Sequence, residues 1–199
     1  MKIVVLGATG TIGSAVINAL GDDQEVIKVG KSNGDLNVDI TDSSSIHRAF
    51  DQIGPFDALV VATGDVAFNA FNAMKEEEWS VGLHSKLMGQ INATRAAIDY
   101  LNPNSSITLT TGILSDEPIA WGTSASTING ALEHFVRAVS TELPKGIRIN
   151  AVSPSLLEES VGVYGNFFPG FIPVPGARVA QAYVKSILGV ATGQVYKVI

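Results

Sequence analysis

The chain has 199 residues, no cysteine, three histidines and a formal net charge of −6, with an isoelectric point near 5.0. The absence of cysteine excludes a disulfide framework, thiol chemistry and a Cys-based zinc site, and scattered histidines make a poor basis for any other metal centre. The acidic balance argues against a nucleic-acid backbone or an anionic membrane surface as partner, and the length suits one domain.

The first stretch, Lys2-Ile3-Val4-Val5-Leu6, is a short apolar run of the kind buried on both faces of a parallel sheet. It stops at Leu6, too soon for a signal peptide or a membrane span, so a soluble, cytoplasmic protein is expected. It breaks into Gly7-Ala8-Thr9-Gly10-Thr11-Ile12-Gly13 and then into a helix predicted over Thr11 to Leu20. Gly7 permits a tight exit from the strand, Gly10 lets backbone N–H groups approach a pyrophosphate, and Gly13 lets the helix pack closely. The phosphate would rest on the helix N-terminus. Alone, Gly-x-x-Gly-x-x-Gly is a weak signal that a structural turn also explains; its place between a strand and a helix favours a dinucleotide site.

Further strand-like runs lie at Glu25–Val29, Asp57–Ala62, Ser106–Thr111 and Ile147–Val152, with helical spacing between them. The alternation predicts a single α/β domain over residues 1–199, a doubly wound parallel sheet of about seven strands with helices on both faces. Just past the second strand stand Lys31 and Ser32. In such a fold that position meets the adenosine ribose, where a basic side chain pairs with the 2′-phosphate of NADP and a carboxylate with the 2′-hydroxyl of NAD. Lys31 favours NADP(H) over NAD(H), while Asp35 is near enough to keep NAD open. Asp39-Ile40 would lie beside the adenine, and Asp42 or Ser43 is a good N-cap for the next helix. The following strand ends in Ala62-Thr63-Gly64, small residues that keep its exit open for a flat ligand.

Together with Gly146-Ile147-Arg148-Ile149-Asn150-Ala151-Val152-Ser153-Pro154, these motifs resemble the short-chain dehydrogenase/reductase family, in the family's order and over nearly the whole chain. The resemblance implies a Rossmann-type domain, a nicotinamide cofactor, a small carbonyl or alcohol as substrate, and a homodimer or homotetramer. It also implies a Ser after the fifth strand, a Tyr-x-x-x-Lys on the next helix and an Asn on the helix before. Aligning Gly130-Ala131-Leu132 with the residues after the family's Lys puts Ala125 at the Tyr position and Asn129 at the Lys position. Thr111 can stand for the Ser, and Lys86, in Lys86-Leu87-Met88-Gly89, replaces the Asn.

Two readings follow. In the first, an oxidoreductase works with an unusual set, Lys86 as cation with Thr111 and Ser126 as hydroxyl donors, since a buried lysine can reach a pKa suited to proton transfer. Lys86 could equally be a helix-surface charge paired with one of Glu76, Glu77 or Glu78, and His84 reads as a surface or packing histidine. In the second, the protein keeps nucleotide binding and has lost turnover, acting as a sensor. Residues 155–178 form a long substrate-side loop carrying Tyr164, Phe167, Phe168 and Phe171, whose aromatics would wall a pocket, plug the core or bury at a subunit contact. The end of the chain reads as a helix, Val179–Leu188, and a closing edge strand, which with the helix around Ala131–Val139 would serve oligomer contacts.

Overall fold

In the computed structural model, which describes residues 1–199, each apolar run becomes a strand covered on both sides. Along β1 (Lys2–Leu6), Ile3 and Val5 face one helix layer while Val4 and Leu6 face the other, and all are buried. The period of two is present but hidden, because both faces demand apolar residues.

The remaining strands are β2 (Glu25–Gly30), β3 (Leu36–Asn37), β4 (Phe56–Val61), β5 (Leu101–Thr110), β6 (Arg148–Pro154) and β7 (Val195–Val198). They pair in parallel as a 7-stranded sheet in the order β3-β2-β1-β4-β5-β6-β7. Helices α1 (Thr11–Leu20) and α7 (Gly176–Leu188), named in chain order, pack on one face through Val16, Val179, Tyr183 and Ile187. On the other, α2 (Ser43–Ile53), α4 (Gly89–Ala97) and α5 (Thr123–Val139) pack through Ile46, Phe50, Ala93, Ile128 and Leu132. Two shorter helices, α3 (Glu76–Gly82) and α6 (Val161–Tyr164), complete the set, and no helix is long and apolar enough to cross a membrane.

The expected doubly wound single domain therefore forms, with local differences. Strand β3 went unforeseen because two residues carry no periodicity. Strand β5 starts at Leu101 rather than Ser106, since Leu101 pairs with Phe56 before a register shift and Ser106 then pairs with Ala58. Residues 155–178 are not structureless: 3₁₀ turns at Glu158–Ser160 and Gly165–Phe167 flank α6, and a bridge from Leu157 to Val174 pins the segment. Glu159, to which the sequence assigned no role, accepts the Gly176 N–H at 3.0 and 3.1 Å and so satisfies an orphan donor at the start of α7.

The strand order reverses direction between β1 and β4. The crevice for a ligand thus opens at the carboxyl ends of those strands.

Candidate functional site

At that crevice the three glycines of the first turn have different causes. Gly7 has φ +84°, and a Cβ on it would overlap the Ala62 carbonyl; a Cβ on buried Gly13 would overlap the Gly7 carbonyl. These two are demanded by the protein's own packing. A Cβ on Gly10 would meet only Gly7 O, at 3.4 Å, and its φ of −78° is open to any residue. Nothing internal requires glycine there. Gly10 is exposed beside Thr9 and Thr11, no side chain caps α1, and the N–H groups of Thr11 and Ile12 find no acceptor in the protein. Free donors at a helix start, approached over a bare glycine, fit the diphosphate of a dinucleotide.

Beyond the turn lies a cavity of about 570 Å³, with Gly7, Lys31, Asp39, Ile40 and Thr63 among its walls. Asp39 Oδ1 accepts from the Thr41 hydroxyl at 2.7 Å and the Thr41 N–H at 2.9 Å. Those bonds, helped by the nearby Lys31 charge, hold its carboxyl below the usual range, while Oδ2 has no partner. Ser32 is exposed outside this wall. Asp35 is spent locally: it accepts the Lys28 N–H at 2.8 Å, leaving Lys31 as the charged group at the end of β2 that faces the cavity. Ala62 and Gly64 lie at the β4 exit beside the cavity, with the Ala62 N–H bonded to Leu6 O at 2.8 Å. His84 is exposed, as expected of a surface histidine, but it is also part of the cavity wall, its Nδ1 bonded to Ser80 O at 2.9 Å.

Lys86 sits in a π-helical stretch, Leu83–Met88, between α3 and α4. Such bulges interrupt the helical ladder and re-aim side chains. Its stem packs on Gly64, where φ is +128° and a Cβ would lie 2.7 Å from Lys86 Cα. Its Nζ donates to Thr111 O at 3.3 Å. The residue is partly exposed, yet its ammonium is surrounded by protein atoms, and this loss of solvation lowers its pKa to about 8. No carboxylate pairs with it. Glu78 instead closes the start of α3, accepting the Lys75 N–H at 2.8 Å and the Asn69 amide at 3.0 Å.

Thr111 meets Lys86 through its carbonyl, not its hydroxyl. Its N–H bonds Val152 O at 2.9 Å, prolonging the β5–β6 pairing, and this turns the hydroxyl towards Glu133 Oε1 at 3.3 Å and Val152 O at 3.4 Å. The residue facing Asn129 is Gly112, whose Cβ would stand 3.1 Å from Asn129 Nδ2. Ala125 is buried one turn before Asn129. Ser126 Oγ and Asn129 Oδ1, with Ser124 Oγ and Ser153 Oγ, are buried without any partner in the protein. Unmet polar atoms in such number are costly unless water or a ligand completes them.

Glu133 escaped sequence reasoning, because a carboxylate on a helix normally reads as a solvated face. It is buried, and accepts from Ser115 Oγ at 2.7 Å as well as from Thr111, bracing the turn after β5. Glu133→Ala will lower stability by about 2 kcal/mol, the loss of its two hydrogen bonds, with the Thr111 and Ser115 hydroxyls falling back on Val152 O and Gly112 O. Urea denaturation measures this, with Glu133→Gln recovering part of the loss.

A parallel sheet with its switch point beside a glycine turn, a free helix start and a nucleotide-sized cavity defines a Rossmann-type fold. The chain belongs to the short-chain dehydrogenase/reductase family: the family model described as enoyl-(acyl carrier protein) reductase matches residues 13–171. Among solved structures, protein lin1944 from Listeria innocua is 47% identical with a TM-score of 0.98 over 100% of both chains. A small-chain dehydrogenase in complex with NADPH is 28% identical with a TM-score of 0.89, over 100% of this chain and 96% of that one. An uncharacterized oxidoreductase of Methylorubrum extorquens is 27% identical over 76% of this chain and 71% of its own length. The chain spans only 56% of general stress protein 39 of Bacillus subtilis, at 27% identity.

Proposed function

We propose that the protein is an NADP(H)-dependent reductase of small carbonyl compounds, or the corresponding alcohol dehydrogenase, in which Lys86 replaces the family's tyrosine as proton donor. One observation carries the reading: a desolvated ammonium with no carboxylate partner, tethered only to Thr111 O, on the π-helical stretch beside the crevice. NADPH would supply the hydride to the carbonyl carbon. Lys86 gives its proton to the carbonyl oxygen and regains one from water; Ser126 and Asn129 offer their unpaired polar atoms as further hydrogen-bonding groups. The first turn, Gly7 to Gly13, holds the diphosphate, Asp39 Oδ2 and Ile40 meet the adenine, and Ala62, Thr63 and Gly64 border the ribose.

Lys31, with Ser32 beside it, takes the 2′-phosphate. NADPH binding, followed by energy transfer from Trp79 and Trp121, will be about tenfold or more tighter than NADH binding, as a charge-assisted phosphate contact supplies. Lys31→Ala will erase the difference. Equal affinities in the parent protein would remove the basis for NADP(H).

The second reading, a silent NADP(H)-binding protein, is favoured by Ala125, Asn129 and Gly112, which leave no phenol, no second lysine and no hydroxyl at those positions. It requires cofactor affinity with no single-turnover oxidation of NADPH by any carbonyl in a broad panel. For assembly we assign the open edge at β7 and the Ala131–Val139 face of α5 to homodimer or homotetramer contacts, to be measured by light scattering.

A further inference from the structure

We infer that the substrate is a flat, uncharged, largely apolar carbonyl compound, free rather than borne on an acidic carrier protein, and seated against Trp121. The inference rests on the reductase reading. A second cavity, of about 410 Å³, lies between residues 118–121 and 166–171, with no ionisable side chain among its lining residues and Asn166 the sole polar one. That volume suits a compound of one or two rings.

Trp121 is 54% exposed and has φ +64°. A left-handed backbone at so bulky a residue costs about 1 kcal/mol or more and persists only where the surroundings enforce it. Here Trp121 O accepts the Asn69 N–H at 3.2 Å and the Gly122 N–H closes on Ile119 O at 3.1 Å. The indole is thus held out over the cavity with its ring centroid 6.0 Å from that of Phe167, tilted by 57°. Phe171, braced edge-on against Phe168 at 5.2 Å, forms another wall.

The walls of the cavity pack against the turn and helix that carry the reaction site. Ile119, Phe168 and Phe171 pack on a small cluster of Ile113, Leu114 and Ala125, which flanks Gly112 and includes the helix position one turn from Asn129. An apolar body among the aromatics would therefore direct its carbonyl towards the unpaired atoms of α5. Anions are disfavoured: the walls offer no cation, Asp116 is paired with Lys197 at 2.8 Å, and Glu117 immediately precedes Pro118 in a chain of net charge −6. An acyl group carried on an acidic protein meets the same field.

The test uses 2-naphthaldehyde and 2-naphthoate, one ring system with and without charge, titrated with and without NADPH against the Trp79→Phe protein so that Trp121 alone reports. Naphthaldehyde will quench Trp121 saturably and bind about tenfold or more tighter than naphthoate. Trp121→Gly, which suits the left-handed backbone and is followed by calorimetry because it removes the reporter, and Phe171→Ala will each weaken binding by about tenfold, the scale of an aromatic contact plus its buried area, with NADPH affinity and melting temperature preserved. Equal binding of naphthoate, indifference to both substitutions, or sedimentation showing Trp121 covered by a second copy would overturn the inference. Failure of NADPH to bind the parent protein would instead sink the reductase reading, since naphthaldehyde binding is measured without it.

Discussion

Lys86→Met will make the protein more stable at neutral pH and, on the reductase reading, slow carbonyl reduction about a hundredfold or more. In the folded chain the ammonium loses its proton near pH 8, against an ordinary value of 10.5. At pH 7 the folded state therefore bears a charge that it solvates poorly, at a cost of about 3 kcal/mol. Methionine removes that cost together with the hydrogen bond to Thr111 O, worth about 1 kcal/mol, so a net gain of about 2 kcal/mol is expected in urea denaturation. The sign with pH follows from proton counting. Between pH 8 and 10.5 the unfolded chain binds more protons than the folded one, so parent stability rises across that window; Lys86→Met shows no such rise.

In the proposed reaction the charged form of Lys86 donates the proton. On that reading, reduction by the parent protein will fall as pH climbs through about 8, and Lys86→Met will lose about a hundredfold or more of the rate, the usual worth of a positioned acid. Stability up with activity down is the signature of a strained functional group. Unchanged stability would mean that water reaches the amine freely; an unchanged rate would assign the proton to another group.

Gly10→Val and Gly13→Ala will separate cofactor binding from folding. Valine at Gly10 enters an extended backbone with φ −78° and ψ 169° and meets only Gly7 O, at 3.4 Å from the Cβ, so thermal unfolding will be close to the parent's. Its branched side chain would fill the proposed seat of the diphosphate, and NADPH affinity will fall about a hundredfold or more, the loss of several charge-assisted N–H contacts. Alanine at Gly13 is smaller yet worse for the fold. Its Cβ would overlap the Gly7 carbonyl and stand 2.9 Å from Ala8 Cα, costing about 3 kcal/mol. If Gly10→Val binds NADPH normally, the turn is inherited architecture and no diphosphate lies there.

Much of this was legible beforehand because it depends on local pattern. Helix α1 falls on Thr11–Leu20 as expected, since a glycine turn and an apolar face are adjacent in sequence. Lys31, Asp39, Ile40 and Thr63 reach one cavity because each follows a strand end, and parallel strands bring their carboxyl ends to one side. What escaped notice depends on orientation. Thr111 is at the anticipated place, but the strand pairing to Val152 decides which of its oxygens faces Lys86, and the same twist leaves Gly112 opposite Asn129.

By itself the sequence determined the doubly wound sheet, the glycine turn between β1 and α1 and the absence of a Tyr-x-x-x-Lys sequence from α5, all set by residue type and spacing along the chain. Only the tertiary structure decided that Gly10 is free of packing while Gly7 and Gly13 are not, that Lys86 is desolvated rather than paired with Glu78, and that Glu133 is buried. Each of these depends on which distant carbonyl, carboxylate or hydroxyl the fold brings within a few ångströms, and such distances are set by the packing of elements far apart in sequence.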